Sequence, residues 1–317
     1  MCKYSRRQFM ARSAATAGAV ALGTNRLFAQ SPAVVAGPAE MAIAKWTGVA
    51  PADAAAVRKM AAELTRKAIE GMGGLGRFVK RGDVVWVKPN IGWDRTPELA
   101  ANTNPDVVAT LVRMCFDAGA KTVKVGDNSC DLPAPSYNSS GIADAVKPLG
   151  AEVLFLDTKR VRETAIKGEM VKTLLMFPEI LDCDVLINVP IAKHHGRAGL
   201  TLAMKNYMGV MDDRKPFHQA IPECLADLTR FMKPRTALCV LDCVRILNDH
   251  GPKGGDPADV LMKNTVAAGL DPVALDAFGA ELLGRNPQEI GSIVKGQEAE
   301  LGTMNYRSLP LREIAVS

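Results

Sequence analysis

The chain has 317 residues, 48% of them apolar and 5% aromatic, with 39 Lys and Arg against 34 Asp and Glu. This composition reads as an ordinary globular chain, long enough for one large domain or two small ones. The net charge of +5 is no footprint for nucleic acid or anionic lipid, because Lys3, Arg6, Arg7, Arg12 and Arg26 supply all of it within the first thirty residues.

Those thirty residues open basic, Lys3 to Arg7, and run into a mild apolar stretch, Ala14 to Leu22. The core, Ser5-Arg6-Arg7-Gln8-Phe9-Met10, resembles the twin-arginine signal, in which paired arginines precede a hydrophobic residue two positions on. Residues 1–30 are therefore expected to be a twin-arginine (Tat) signal peptide, with the Tat translocase as partner and a periplasmic or other extracytoplasmic destination. Leu27-Phe28-Ala29 offers a cleavage point. The apolar stretch is too short for a hydrocarbon core of about 30 Å, which takes roughly 20 apolar residues. No stable membrane anchor is expected.

Residues 31–51 are rich in Pro, Ala and Gly and read as a linker, with Met41 to Trp46 able to pair as an edge strand. Asp53 then caps a helix whose Val57, Met60, Ala61, Leu64, Ala68 and Ile69 recur at helical spacing. Strands are predicted at Val84 to Val87, Thr122 to Val125, Val153 to Leu156, Val185 to Val189, Ala237 to Leu241 and Thr265 to Ala268. Helices are predicted at 106–118, 142–147, 201–210, 221–232, 272–283 and 288–295. Strands separated by helical stretches of this length pair in parallel through right-handed crossovers. The expected fold is α/β: one domain over 52–317, a mostly parallel sheet with helices on both faces, and a smaller lobe from 190–235 over the strand ends.

Ligands of such sheets bind beyond the carboxyl ends of the strands. Lys88-Pro89-Asn90 follows the first core strand, and Gly126-Asp127-Asn128-Ser129-Cys130 follows the second. Lys88 is either a solvated strand end or a point charge aimed at the crevice. Asp127 either closes a turn with its own side chain or binds a ligand. Cys130 is a further metal or redox candidate. After Val189 comes Lys193-His194-His195, holding half of the four histidines, with Arg197, Lys205 and Asn206 downstream. Asp242 ends a later strand, and Lys253 sits in the glycine-rich loop 248–256, which lacks the spacing of a P-loop or dinucleotide fingerprint. The candidate acid–base residues are His195, His218 and Lys193, and the candidate ligand-binding residues are Lys88, Asn90, Lys205, Asn206 and Lys253. A divalent metal would draw on His194, Asp127 and Asp242 from separate loops, with His218 and His250 as further contributors. The seven cysteines include no Cys-x-x-Cys pair, so no ferredoxin-type iron–sulfur motif is present. They read as mostly buried thiols.

Three of these segments together resemble the bacterial and archaeal family called domain of unknown function 362. They are the strand leading to Lys88-Pro89-Asn90, the run Asp184 to His195 with its Lys-x-His ending, and Leu200 to Gly209 with its Met-Lys-Asn core. Asp242, Gly251-Pro252 and Asp271 to Asp276 extend the similarity, which covers about residues 75–285. In the family pattern the histidine stands two residues after the lysine, matching Lys193 and His195. Some relatives carry ferredoxin-type cysteine clusters, which this chain lacks. Two functions remain open at this point: an exported enzyme binding a small anionic ligand at a Lys/His site, and a non-catalytic protein that holds a metal or cofactor.

Overall fold

The computed structural model describes residues 38–317, so the expected Tat signal and the expected cleavage point lie outside the described residues. Strand β1, Met41–Trp46, precedes helix α1, Ala54–Gly71, which the Asp53 carboxylate caps by accepting from the Ala56 N–H. Strand β2, Val84–Pro89, leads to α2, Pro105–Asp117, opened by a proline in its first turn and by the Asn104 side chain, which accepts from the Asp106 N–H. There follow β3, Thr122–Val125, the short helices α3, Pro133–Ser139, and α4, Ile142–Val146, and the two-residue β4, Glu152–Val153. A separate antiparallel pair, β5 at Arg162–Ala165 and β6 at Thr173–Met176, and the one-turn α5, Pro178–Leu181, precede β7, Val185–Val189. Strands β8, Ile191–His195, and β9, Gly199–Thr201, and helix α6, Ala203–Asn206, come next. The chain ends with α7, Ile221–Met232, β10, Thr236–Leu247, β11, Val260–Gly269, α8, Pro272–Leu282, α9, Gly291–Glu298, and β12, Leu311–Val316.

The main sheet runs in the order β12-β1-β11-β10-β7-β2-β3-β4. From β10 to β4 every pair is parallel, so the four strands expected to be adjacent and parallel are so, in the order β10-β7-β2-β3. Beyond β10 the sheet is mixed, with β11 antiparallel to both its neighbours and β12 parallel to β1. One apolar layer, built on α1, α2 and α4, covers one face, and another, built on α6, α7 and α8, covers the other. Helices on both faces over a mostly parallel core make this an α/β protein.

Four elements differ from the sequence reading. The expected strand at 265–268 is the end of the longer β11, which returns from β10 by a hairpin and not by a crossover. The linker reading of 31–51 gives way over its second half: β1 is flanked by β11 and β12, with Met41 to Ala44 buried, so it is an inner strand. Burial on both faces removes the polar alternation by which an outer strand is recognised. The Lys-His-His segment is not a loop. β10 outruns β7, and after Pro190 accepts from the Asp242 N–H at 2.9 Å, β8 takes over as its neighbour. The helix expected over 201–210 is reduced to α6 and a 3-10 stretch at 207–210.

Candidate functional site

The carboxyl ends of β2 and β3 meet in a buried ion pair. Lys88 Nζ lies 2.7 Å from Asp127 Oδ1, and the other carboxylate oxygen accepts from the Ile91 N–H at 2.9 Å. The loop that carries Asp127 is anchored from behind by Tyr137, whose hydroxyl accepts from the Asp127 N–H at 2.7 Å. Burial lowers the pKa of Lys88, and the Asp127 charge opposes that shift. Gly209 covers the pair so closely that a Cβ there would sit 1.9 Å from Asp127 Oδ1 and 2.7 Å from Lys88 Nζ. A glycine is required at this approach because no side-chain carbon fits.

A chain of amides runs from β7 to Lys193. Asn188 on β7 donates to the Ala203 carbonyl at 3.0 Å and accepts from Asn206 Nδ2 at 2.8 Å. Asn206 Oδ1 accepts from Asn90 Nδ2 at 3.0 Å, and Asn90 Oδ1 accepts from Lys193 Nζ at 2.9 Å. Lys193 Nζ also donates to the Ala101 carbonyl. With 1% of its surface exposed, Lys193 is desolvated, and burial lowers its pKa to about 7. Neutral, it donates two N–H bonds to these oxygens and keeps a lone pair for a third direction.

Lys193 lines a narrow recess of about 60 Å³ together with Asn90, Asp127, Cys130, Lys205 and Arg214, among others. A vestibule of about 580 Å³ shares Cys130, His195, Lys205 and Arg214 with it and extends outward to His218. Lys205 Nζ donates to Met208 Sδ at 3.3 Å, and among the described residues no carboxylate pairs with it. Burial lowers its pKa to about 8, with the Arg214 charge adding to the effect. Arg214 is held by the carbonyls of Asn128 and Met208 and reaches the Cys130 sulfur at 2.8 Å. The carboxylate lining the recess, Asp127, is already matched by Lys88. The recess therefore carries surplus positive charge.

The imidazole of His195 turns one nitrogen inward to the protein. Its Nδ1 accepts from the N–H groups of Arg197 and Ala198, both at 3.2 Å. Burial, then the Lys205 and Lys193 charges, push its pKa down to about 3. With Nδ1 accepting, the neutral ring carries its proton on Nε2 and is a hydrogen-bond donor at that nitrogen. His218 is exposed on the vestibule, and its pKa is lowered by what burial it has and then by the Lys205, Arg197 and Arg214 charges.

The structure thus brings Asn90, Asp127, Lys193, His195, Lys205 and Asn206 to one recess. Lys88 lies beneath the recess and not on its wall, so it orients Asp127 where direct ligand binding was expected. Lys253 pairs with Asp131 at 2.9 Å and stacks over Trp93, outside the lining. The expected metal set does not assemble. His194 Nδ1 accepts from the Gly251 N–H at 3.1 Å, and both Asp242 oxygens accept backbone N–H bonds, from Asn104 at 2.7 Å and Val244 at 2.9 Å. Asp242 is a structural carboxylate that holds the start of α2, with burial raising its pKa to about 6. His250 pairs with Asp259 on the surface. Among the described residues no three His, Cys, Asp or Glu side chains are grouped to hold a metal ion. Sequence reasoning missed Arg214, Asn188 and Gly209. Arg214 stands in Asp212-Asp213-Arg214-Lys215, which reads as a solvated charge run.

Fold and site together define an α/β protein with a cation-lined recess at the carboxyl ends of its parallel strands. The chain belongs to the family described as domain of unknown function (DUF362), whose model matches residues 85–281. A thylakoid-associated protein of Synechocystis sp., sll1697, is 30% identical over 270 residues, covering 79% of this chain and 80% of the relative. Among solved structures, a Thermotoga maritima protein superposes with a TM-score of 0.45 at 11% identity, over 74% of this chain and 59% of that one. The lactate racemase apoprotein of Thermoanaerobacterium thermosaccharolyticum gives 0.42 at 11% identity, over 70% and 54%. The chain spans little more than half the length of these two structures.

Proposed function

We propose that this protein is an enzyme acting on a small anionic molecule, which Lys205 and Arg214 pair with while the Lys193 amine exchanges a proton with it. One observation carries this reading. An unpaired cationic wall and a buried lysine, whose pKa of about 7 suits a general base near neutral pH, share the same recess. The inner volume of about 60 Å³ admits a carboxylate or phosphate head, and the vestibule of about 580 Å³ falls within the range of ordinary small-molecule sites, roughly 300–1,000 Å³. His195 donates from Nε2, and Asn90 and Asn206 hold the amine in register. Export is part of the proposal: the twin-arginine segment sends the folded protein through the Tat translocase to the periplasm or another extracytoplasmic space.

The test has two readouts. Calorimetry with sulfate, phosphate and a panel of small carboxylates measures binding, and NMR in D2O measures deuterium washed into bound carboxylates. Wild type binds members of the panel at millimolar concentration or tighter, and Lys205→Met weakens them by about tenfold or more. Lys193→Met keeps the binding and loses the exchange. A wild type that binds no anion, or a K193M variant that exchanges as fast as wild type, refutes the reading.

A further inference from the structure

Among the six described cysteines, Cys115, Cys224, Cys239 and Cys243 are buried, Cys183 is half-buried and Cys130 is exposed. Burial pushes the thiols of Cys115, Cys183 and Cys239 up to about 12, about 11 and about 11, which keeps them protonated and inert. Cys130 is placed differently. Its backbone N–H is tied to the Gly92 carbonyl at 2.8 Å, its sulfur accepts from Arg214 Nη1 at 2.8 Å, and its side chain lines both the recess and the vestibule. A guanidinium N–H at that distance is a charge-assisted donor that holds the sulfur beside a cation.

A second observation points to a ligand at the same spot. Lys205 lines both cavities and donates to a thioether, a poor match for an ammonium in a partly dry site. The charges around the sulfur are otherwise accounted for. Lys193 is also on the recess wall, Asp127 is matched by Lys88 and Asp131 by Lys253. His195 and His218 contribute no negative charge. Asp212 and Asp213 lie on the outer vestibule, where Asp213 accepts from the Lys215 N–H at 2.9 Å. An electrophile that carries an anionic group is drawn to the sulfur, and a neutral one is not.

We infer that Cys130 is a nucleophile of this site, selective for small anionic molecules with an electrophilic carbon, such as α,β-unsaturated carboxylates; the inference rests on the anion-binding reading of the recess. In the step, a sulfur lone pair forms a C–S bond at the β-carbon while the C=C π pair moves to the α-carbon. The thiol proton passes to the Lys193 amine and then to the α-carbon. The sum is addition of S–H across the double bond, with no change of oxidation state that calls for an external reagent.

Iodoacetate and iodoacetamide lose iodide to the same attacking sulfur and differ by one negative charge, so their rate ratio reads the local field. Full-length protein is treated with each, the rate at each cysteine is followed by peptide mass spectrometry, and Cys130→Ser confirms the site. The iodoacetate-to-iodoacetamide ratio at Cys130 is expected to exceed that of the same residue in the urea-unfolded chain by about tenfold or more. Added sulfate lowers that ratio, Arg214→Met abolishes the preference, and maleate forms a thioether at Cys130. If R214M does not fold, the sulfate dependence of the wild type reads the same interaction. A ratio no higher than in the unfolded chain, in a protein that binds sulfate by calorimetry, overturns the role of Cys130. A high ratio that sulfate leaves unchanged, in a protein that binds no anion, overturns the anion-site reading instead.

Discussion

Lys88 and Asp127 end adjacent parallel strands as a buried ion pair, 2.7 Å apart, with Gly209 closed over them. The pair sits under the floor of the recess, so it sets the shape of the site and removes the negative charge that Asp127 would otherwise present to a ligand. Removing one partner leaves the other charged and buried. Asp127→Asn is expected to cost about 3–5 kcal/mol in urea denaturation, and the double change Lys88→Met with Asp127→Leu to recover much of that. A loss below about 1 kcal/mol for the single variant rules this role out.

Gly209→Ala tests the same contact from above. Its Cβ would overlap Asp127 Oδ1, and the surrounding backbone has to shift to admit it. The expected cost is about 1–3 kcal/mol, with weaker sulfate binding because Arg214 and Met208 lie on the same segment. Combined with Asp127→Asn, the effects should be far from additive, since both act on one contact. Additive losses in the double variant count against the steric argument.

Sulfate affinity should depend on pH with a definite sign. Lys205 carries its charge below about pH 8 and loses it above. Sulfate keeps its own charge throughout, so calorimetric affinity is expected to fall as pH rises through about 8, by about tenfold or more across the transition. Lys205→Met should flatten the profile. An affinity that rises with pH, or is unchanged in the wild type, contradicts the assignment of Lys205.

Lys193 makes a linkage prediction for stability. Its pKa is about 7 folded and about 10.4 in an unfolded chain, so between these values the unfolded state holds a proton that the folded state lacks. The penalty for burying the ammonium is fully present below about pH 7 and is relieved as pH rises toward about 10.4. Wild type should therefore gain stability relative to Lys193→Met over that window, by a few kcal/mol in all. Parallel stability curves for the two proteins would show that Lys193 keeps an ordinary proton affinity.

Export turns on Arg6 and Arg7. Changing both to Lys preserves the charge and removes the guanidinium pair, so the variant is expected to accumulate in the cytoplasm while the wild type is recovered outside it. Fractionation and immunoblotting decide this. Equal export of both proteins would remove the basis for the extracytoplasmic assignment.

The sequence by itself determined the parallel half of the sheet. β-branched runs near residues 84, 122, 185 and 237, each separated by helical spacing, leave crossover connections as the way to pair, and parallel strands then carry Lys88, Asp127 and the Lys193 segment to one edge. The hairpin of β10 and β11 and the inner position of β1 were not legible, because register and neighbours depend on which distant strand supplies a free edge. Only the tertiary structure decided what each charged group does. Lys88 and Asp127 neutralise each other, Asp242 is used up by backbone N–H groups at Asn104 and Val244, and Lys193 is held by Asn90 and Ala101. Arg214, which reads as part of a surface charge run, turns inward to Cys130, 84 residues away. Ionisation and orientation follow from desolvation and from partners brought close by folding, and neither is encoded in the residues next along the chain.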